Sequence, residues 1–325
     1  MRSATAIAHP NIALIKYWGK RDRQLNLPSV SSLSLTLDTF QTQTTVKWGS
    51  HSDSFVLNGT KNQGKEAQKV FSFLNLLEPN RPYCQVESFN NFPTAAGLAS
   101  SSSAFAALAL AASSAGQLPQ AALDQRHTLS VLARQGSGSA CRSLWGGWVL
   151  WNKGHKEDGT DSHAHPIHPS DYWDLKLIVA VVSSEPKKIG STAGMIHTEK
   201  TSPLYPLWVQ SSDDDLEEAV HAIEHKDIQR LGAVMEHSML KMHATMLAAR
   251  PAVRYLKPQS LSVLDKLEDL RSDGVLCYGT MDAGPNVKIL CEAKHADRIS
   301  QAISPLTQAV HILGVGSDPQ IIDIK

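Results

Sequence analysis

Between Glu87 and Asp124 the chain carries no charged side chain. Such a stretch must either pack tightly or lie against a ligand that charged side chains would crowd. It opens with Asn91-Phe92-Pro93-Thr94-Ala95-Ala96-Gly97-Leu98-Ala99 and passes through four serines, Ser100 to Ser103. An alanine- and leucine-rich run follows, which reads as a helix ending near Gly116, and a second helix is expected from Pro119 to about Arg134. A loop of glycine, alanine and serine entering a helix lets backbone N–H groups approach an anion, and the helix N-terminus adds roughly half a positive charge. Serine hydroxyls at that place suit phosphate oxygens or a magnesium ion. The same composition also suits a buried helix with room only for small residues. No G-x-x-x-x-G-K-[ST] occurs, which disfavours a P-loop site.

The chain of 325 residues is long enough for one large domain or two ordinary ones, and 42% hydrophobic content supports a normal core. Lysine plus arginine equals aspartate plus glutamate at 31 each, without the basic excess that duplex binding usually needs, so nucleic acid is not an expected partner. Cys84, Cys141, Cys277 and Cys291 form no CxxC pair and read as reduced thiols. The N-terminus lacks a signal-peptide pattern, and the longest apolar run, Ala104 to Ala112, is too short to span a bilayer. A soluble cytoplasmic protein with no membrane partner is expected.

Residues 4–16 and 33–48 read as strands, and 65–77 as a helix with Val70, Phe71, Leu74 and Leu77 on one face. An aromatic strand, Trp145 to Trp151, precedes a polar loop, Asn152 to Asp171, and then a strand, Leu175 to Val182. A domain boundary is expected just after that strand, dividing the chain into 1–183 and 184–325. Beyond it the pattern is mostly helical, with a helix from Asp213 to Leu231 capped by Ser211 or Ser212. Strands at Cys277–Thr280, Val287–Cys291 and Val310–Val315 complete an α+β reading of both halves.

Four further segments carry chemistry. Gly136-Ser137-Gly138-Ser139-Ala140-Cys141-Arg142-Ser143 places an arginine in a small-residue turn, suited to bidentate capture of a carboxylate or phosphate or, more plainly, to a solvated turn. Asn11 to Arg21 ends a strand with Lys16, Lys20, Arg21 and Tyr17, a set able to grip a diphosphate or to sit in solvent. Asp282, in Met281-Asp-Ala-Gly-Pro-Asn286, fits either a hairpin turn or a general base within reach of a hydroxyl. His163, His165 and His168 lack a second ligand group at zinc spacing and read as a solvated loop.

Together and in this order, these segments resemble the GHMP kinase superfamily, and within it the mevalonate diphosphate decarboxylase branch. The resemblance rests on Asn11-Ile-Ala-Leu-Ile-Lys-Tyr-Trp-Gly-Lys-Arg-Asp22, Asn91 to Ser101, Gly136 to Gly147 and Met281 to Asn286, and it runs nearly the whole chain. It implies a two-lobed α+β fold, with an N-terminal lobe like the second domain of ribosomal protein S5 and a ferredoxin-like C-terminal lobe. It further implies ATP along Thr94, Ala95, Ala96, Gly97, Leu98, Ala99, Ser100 and Ser101, with Ser101 near Mg2+ and Lys187 and Lys188 on a loop near the phosphates. The substrate's diphosphate would meet Tyr17 and Lys20 beside Ala13, Ser137, Gly138 and Ser139. Arg142 would pair with its carboxylate, and Asp282, with Lys16 beside it, would face its 3-hydroxyl. Members of the branch are commonly homodimers.

The activity so implied is ATP-dependent decarboxylation of 5-diphosphomevalonate to isopentenyl diphosphate. Relatives that decarboxylate mevalonate 5-phosphate, or that stop after phosphorylating the 3-hydroxyl, share the scaffold and remain alternatives. Thr192 stands where some bacterial members carry an arginine that reaches the diphosphate, which leaves the phosphate count at the 5-position open.

Overall fold

The computed structural model describes residues 2–92, 100–116 and 126–325. Six strands form the larger sheet, in the spatial order Gln320–Ile324, Arg2–Ala8, Thr42–Trp48, Cys84–Asn90, Ser54–Leu57 and Thr60–Asn62. All its pairings are antiparallel except that of Ser54–Leu57 with Cys84–Asn90. Strand Cys84–Asn90 alternates strictly between buried and exposed side chains, the pattern of a sheet with one covered face. Helix Ser100–Ala115 packs into the same core, with Ala106 to Ala112 buried in an unbroken run. Small side chains are what let it be surrounded, while Ser101 at its start stays exposed.

A four-stranded sheet, Ala164–His168, Trp148–Trp151, Ser32–Thr36 and Asn11–Ile15, lies next in the structure. The C-terminal sheet orders Cys277–Met281, Val287–Glu292, Leu175–Val181 and Ala309–Leu313, all antiparallel. One core joins these two sheets: Ile12, Leu14, Leu33 and Trp148 pack with Leu177, Val179, Leu231, Tyr278 and Leu290. The mixed α+β architecture is the one expected. Among the described residues, no helix is long and apolar enough to cross a membrane.

Several local readings change. Leu175–Val181, expected to close the first lobe, hydrogen-bonds on both edges inside the C-terminal sheet, and its nearly continuous burial reflects that central place. Conversely, Gln320–Ile324 returns to pair with Arg2–Ala8. The loop expected over 152–171 contains strand Ala164–His168, which carries His165 and His168. The helix expected at Asp213–Leu231 is two helices, Tyr205–Glu224 and Ile228–Leu247. Ser211 and Ser212 lie inside the first and donate back to the carbonyls of Leu207 and Trp208, a bond that competes with capping. Asp227 caps the second, accepting from the Arg230 N–H. Helix Lys65–Leu77 has the expected bounds, but Phe73 rather than Phe71 completes its buried face. Of the second small-residue helix, only Arg126–Gly136 lies within the described residues.

Candidate active site

Strand Asn11–Ile15 is buried along its whole length, and Lys16 continues it into the interior. Burial of an ammonium demands close partners. The Lys16 ammonium donates to the Ala13 carbonyl at 2.8 Å and to Asp282 Oδ1 at 2.7 Å. Its backbone N–H is held by Ser238 Oγ from helix Ile228–Leu247. The chain then turns at Gly19, whose φ of 102° and lack of a side chain are both required, since a Cβ there would lie 1.9 Å from the Tyr205 hydroxyl oxygen.

Asp282 arrives from the other half, on the turn between Cys277–Met281 and Val287–Glu292. Asn286 fixes that turn by accepting from the N–H groups of Val182 and Ser183 at 2.8 and 3.1 Å. The second oxygen of Asp282 lies 3.3 Å from the ammonium of Lys288, a residue with 0% exposure, while 27% of the aspartate side chain faces the cleft. Burial works against the carboxylate's charge, yet Lys16 and then Lys288 outweigh it and hold the carboxyl far below the usual range. The same burial brings Lys16 down to about 8, against the pull of Asp282. His243, from helix Ile228–Leu247, is buried beside this group, and burial together with the Lys16 charge brings it down to about 4.

Across the cleft stands Arg142, on a short 3-10 helix, Gly138–Leu144. It is only 3% exposed. Its Nε donates to Asn11 Oδ1 at 3.0 Å, an Nη donates to Ser32 Oγ at 2.6 Å, and the guanidinium lies over the Trp151 ring. Asn11 is aimed in turn by donating to the Ser139 carbonyl and to Ser143 Oγ. No carboxylate of the described residues comes within ion-pair distance of Arg142. A buried guanidinium so oriented and so unpaired is a receptor for an external anion.

The cleft between these groups measures about 1080 Å³. Ala13, Lys16, Tyr17, Lys20, Ser100, Ser101, Ser137, Gly138, Ser139, Arg142, Lys187, Thr192 and Asp282 all line it. Lys188 is exposed and does not. Thr94, Ala95, Ala96, Gly97, Leu98 and Ala99 lie outside the described residues. Ser137 Oγ donates to Ser101 Oγ at 3.1 Å, which joins the two small-residue segments at one wall. The Tyr17 hydroxyl is buried without a hydrogen-bond partner among the described residues, and a Cβ on Gly138 would approach it to 2.8 Å.

Sequence reasoning missed Arg23, Lys65 and Lys69, which complete the cationic lining. Seven described cations face the cleft, Lys16, Lys20, Arg23, Lys65, Lys69, Arg142 and Lys187, against one carboxylate, Asp282. A chain neutral overall therefore presents a strongly positive cleft, fit for polyanions. Burial, then Lys69 and Arg23, push the Lys20 ammonium below its usual range, and its head is held by Asn26 Oδ1. Asn26 itself donates to the carbonyls of Arg134 and Gln135. Lys288 and His243 were missed as well; the lone lysine within the apolar Val287-Lys-Ile-Leu-Cys291 does not by itself tell an inward lysine from an outward one. Among the described residues, no three His, Cys, Asp or Glu side chains gather in a metal-holding group.

Comparison with known proteins gives a consistent result. Residues 8–164 match the diphosphomevalonate decarboxylase-like N-terminal domain, and residues 177–314 match the mevalonate 5-diphosphate decarboxylase C-terminal domain. The chain is 38% identical to the diphosphomevalonate decarboxylase of Aspergillus fumigatus, over 93% of this chain and 80% of that protein. It superposes on mevalonate diphosphate decarboxylase of Staphylococcus aureus with a TM-score of 0.92 and 40% identity, covering 99% of this chain and 98% of the other. A further structure, of a protein called MDDEF in complex with MVAPP, AMPPCP and magnesium, has a TM-score of 0.91 and 40% identity, with 99% of each chain covered. With both halves matched in order and nearly the full length superposed, the chain belongs to the diphosphomevalonate decarboxylase family.

Proposed function

We infer that this protein catalyses the ATP-dependent decarboxylation of 5-diphosphomevalonate to isopentenyl diphosphate, ADP, phosphate and CO2. The observation that carries the reading is the pairing, across one cation-lined cleft, of an ionised carboxylate with a buried guanidinium that has no acidic partner among the described residues. Family membership, and a relative solved with mevalonate diphosphate, an ATP analogue and magnesium, support it.

Arg142 takes the substrate carboxylate in its free fork, with Asn11 and Ser32 fixing the plane. Asp282 accepts a hydrogen bond from the 3-hydroxyl, and Lys16 fixes the position of Asp282. Tyr17, Lys20 and the Ser137–Ser139 turn hold the 5-diphosphate, with Ala13 and Thr192 at its side. Ser100, Ser101 and Lys187 hold the ATP phosphates, and Lys188 enters only if its loop turns inward. The serine hydroxyls and the excess of cations fit a magnesium-bound triphosphate, with Ser101 as the protein's ligand; the ion would neutralise phosphate charge.

The hydroxyl oxygen, its O–H donating to Asp282, attacks the γ-phosphorus while the bond from that phosphorus to ADP breaks, and the hydroxyl proton goes to the oxygens of the transferred phosphoryl group. Phosphate then leaves C3 with the C–O electron pair. Breakage of the C–C bond to the carboxylate supplies the electrons of the new double bond and releases CO2. Arg142 keeps that bond aligned with the departing phosphate, and Asp282 complements the positive charge that develops on C3.

The test measures ADP and CO2 in parallel with mevalonate, its 5-phosphate and its 5-diphosphate. Equal release from the diphosphate alone is expected. ADP without CO2 would make the protein a 3-kinase, and preference for the monophosphate would replace the substrate assignment.

A further inference from the structure

Asp282 is gripped from two sides, and only one of the two ammoniums can reach the cleft. Lys16 lines it, whereas Lys288 points in from strand Val287–Glu292 and lies wholly behind it. Each takes a different oxygen, Lys16 the Oδ1 at 2.7 Å and Lys288 the Oδ2 at 3.3 Å. Lys288 also donates to the Asn286 carbonyl at 3.3 Å, within the turn that carries Asp282. An ammonium with no exposure in an apolar strand is costly to bury, and the carboxylate of Asp282 lies within ion-pair distance to offset that cost. A cation beside each oxygen opposes rotation of the carboxylate plane by electrostatic attraction, more than a single lysine would.

We propose that Lys288 is a positioning residue of the active site, holding Asp282 ionised and aimed from behind so that the carboxylate receives the substrate hydroxyl as a hydrogen-bond acceptor and not as a strong base. The inference rests on the decarboxylase reading and deepens it. A carboxylate between two ammoniums is a poor proton acceptor, and Lys16 and Lys288, which hold the Asp282 carboxyl below its usual range against burial, agree with this. A loose phosphoryl-transfer transition state needs little deprotonation of the attacking hydroxyl, so orientation is the larger requirement. The proton then leaves with the transferred phosphoryl group, which departs as inorganic phosphate, and Asp282 remains an anion beside C3 throughout. The other charged or titratable groups facing Asp282 are Arg142 across the cleft, Lys187 on the 183–190 segment and His243 from helix Ile228–Leu247.

The experiment replaces Lys288 by methionine and, separately, by glutamine, and measures kcat and KM on the diphosphate substrate across pH. A fall in kcat of about 10- to 100-fold with little change in either KM is expected, the size of a lost charge-assisted contact. The acid limb of kcat should also move to higher pH, because removing a cation makes the carboxylate easier to protonate. A lower melting temperature with unchanged kcat and an unchanged acid limb would reduce Lys288 to a structural ion pair and overturn the proposal. Should neither variant fold, carboxyl 13C NMR of the wild-type protein, assigned by difference from Asp282→Asn, still decides. A titration of Asp282 at the ordinary carboxylate value of about 4 would refute the claim that it is held ionised. A wild-type enzyme inactive on every mevalonate derivative would sink the functional reading instead; an active one indifferent to Lys288 would sink only this inference.

Discussion

Asp282→Asn removes the negative charge that lies between two buried ammoniums, the one carboxylate among the described residues that line the cleft. The substitution is nearly isosteric, so packing changes little and the effects are electrostatic. Breaking a buried pair by deleting one partner typically costs several kcal/mol; with a quarter of the carboxylate facing the cleft, the lower range of about 2–4 kcal/mol applies at neutral pH. At about 2 °C per kcal/mol for a chain of this length, Tm should fall by about 4–8 °C. The loss should also depend on pH, with a sign fixed by Lys16. In the native protein Lys16 is lowered to about 8, so between about 8 and its ordinary value of 10.5 the unfolded chain binds the extra proton and stability rises with pH. Without Asp282, which supports the charged form, Lys16 releases its proton at still lower pH. The stability deficit of the variant should therefore be largest in mild acid and narrow as pH approaches about 8. Turnover should drop by about 10²- to 10³-fold, the usual weight of a preorganised charge or hydrogen-bonding group aimed at the transition state, with substrate binding largely retained. Thermal melts between mild acid and pH 9, with single-turnover assays beside them, measure both effects. Wild-type turnover would remove Asp282 from the mechanism, and a variant as stable as wild type in mild acid would refute the electrostatic argument.

Arg142→Lys keeps the charge but strands Asn11 Oδ1 and Ser32 Oγ and loses the planar fork, so kcat/KM should fall about 10- to 100-fold in steady-state assays. In Tyr17→Phe a buried hydroxyl without a partner among the described residues disappears; the apo protein should melt at the same temperature or slightly higher, while KM for the diphosphate substrate rises roughly 3- to 10-fold, as for one lost hydrogen bond. Because seven described cations line the cleft, raising the salt concentration should raise KM for both phosphorylated substrates and leave kcat nearly constant, checked by initial rates in graded KCl.

Arg142 in a glycine–serine turn, Asp282 in an Asp-Ala-Gly-Pro-Asn turn and the Lys16–Lys20 cluster each admit a plain local reading as a solvated turn, a hairpin or a strand end. Their order along the chain, through the family it resembles, is what singles them out, and the fold gathers them into one cleft. The link between Lys16 and Asp282 spans 266 positions, and nothing local announces it. Lys288 is hidden because Val-Lys-Ile-Leu-Cys reads as an ordinary strand with one outward lysine, whereas here that lysine points inward. The sheet to which Leu175–Val181 belongs is equally illegible, since its partners lie more than a hundred positions later. Ser211 and Ser212 mislead because a serine hydroxyl serves a helix end and a helix interior by the same kind of bond.

The core that joins Ile12, Leu14 and Trp148 to Leu177, Tyr278 and Leu290 has a mechanical consequence. A hinge needs a seam along which two bodies part, and here that seam is filled with interlocked apolar side chains. Opening it would expose apolar surface at about 25 cal/mol per Å², a cost that opposes parting of the two bodies. The shared core ties the two walls of the cleft together, and the spacing between Arg142 and Asp282 should vary little between steps of the reaction. Admission of substrate and escape of product fall to the segments that rim the cleft, such as the one bearing Lys187. On heating, the same interlock should make both halves melt in a single transition, so that damage to either wall is felt as damage to the whole.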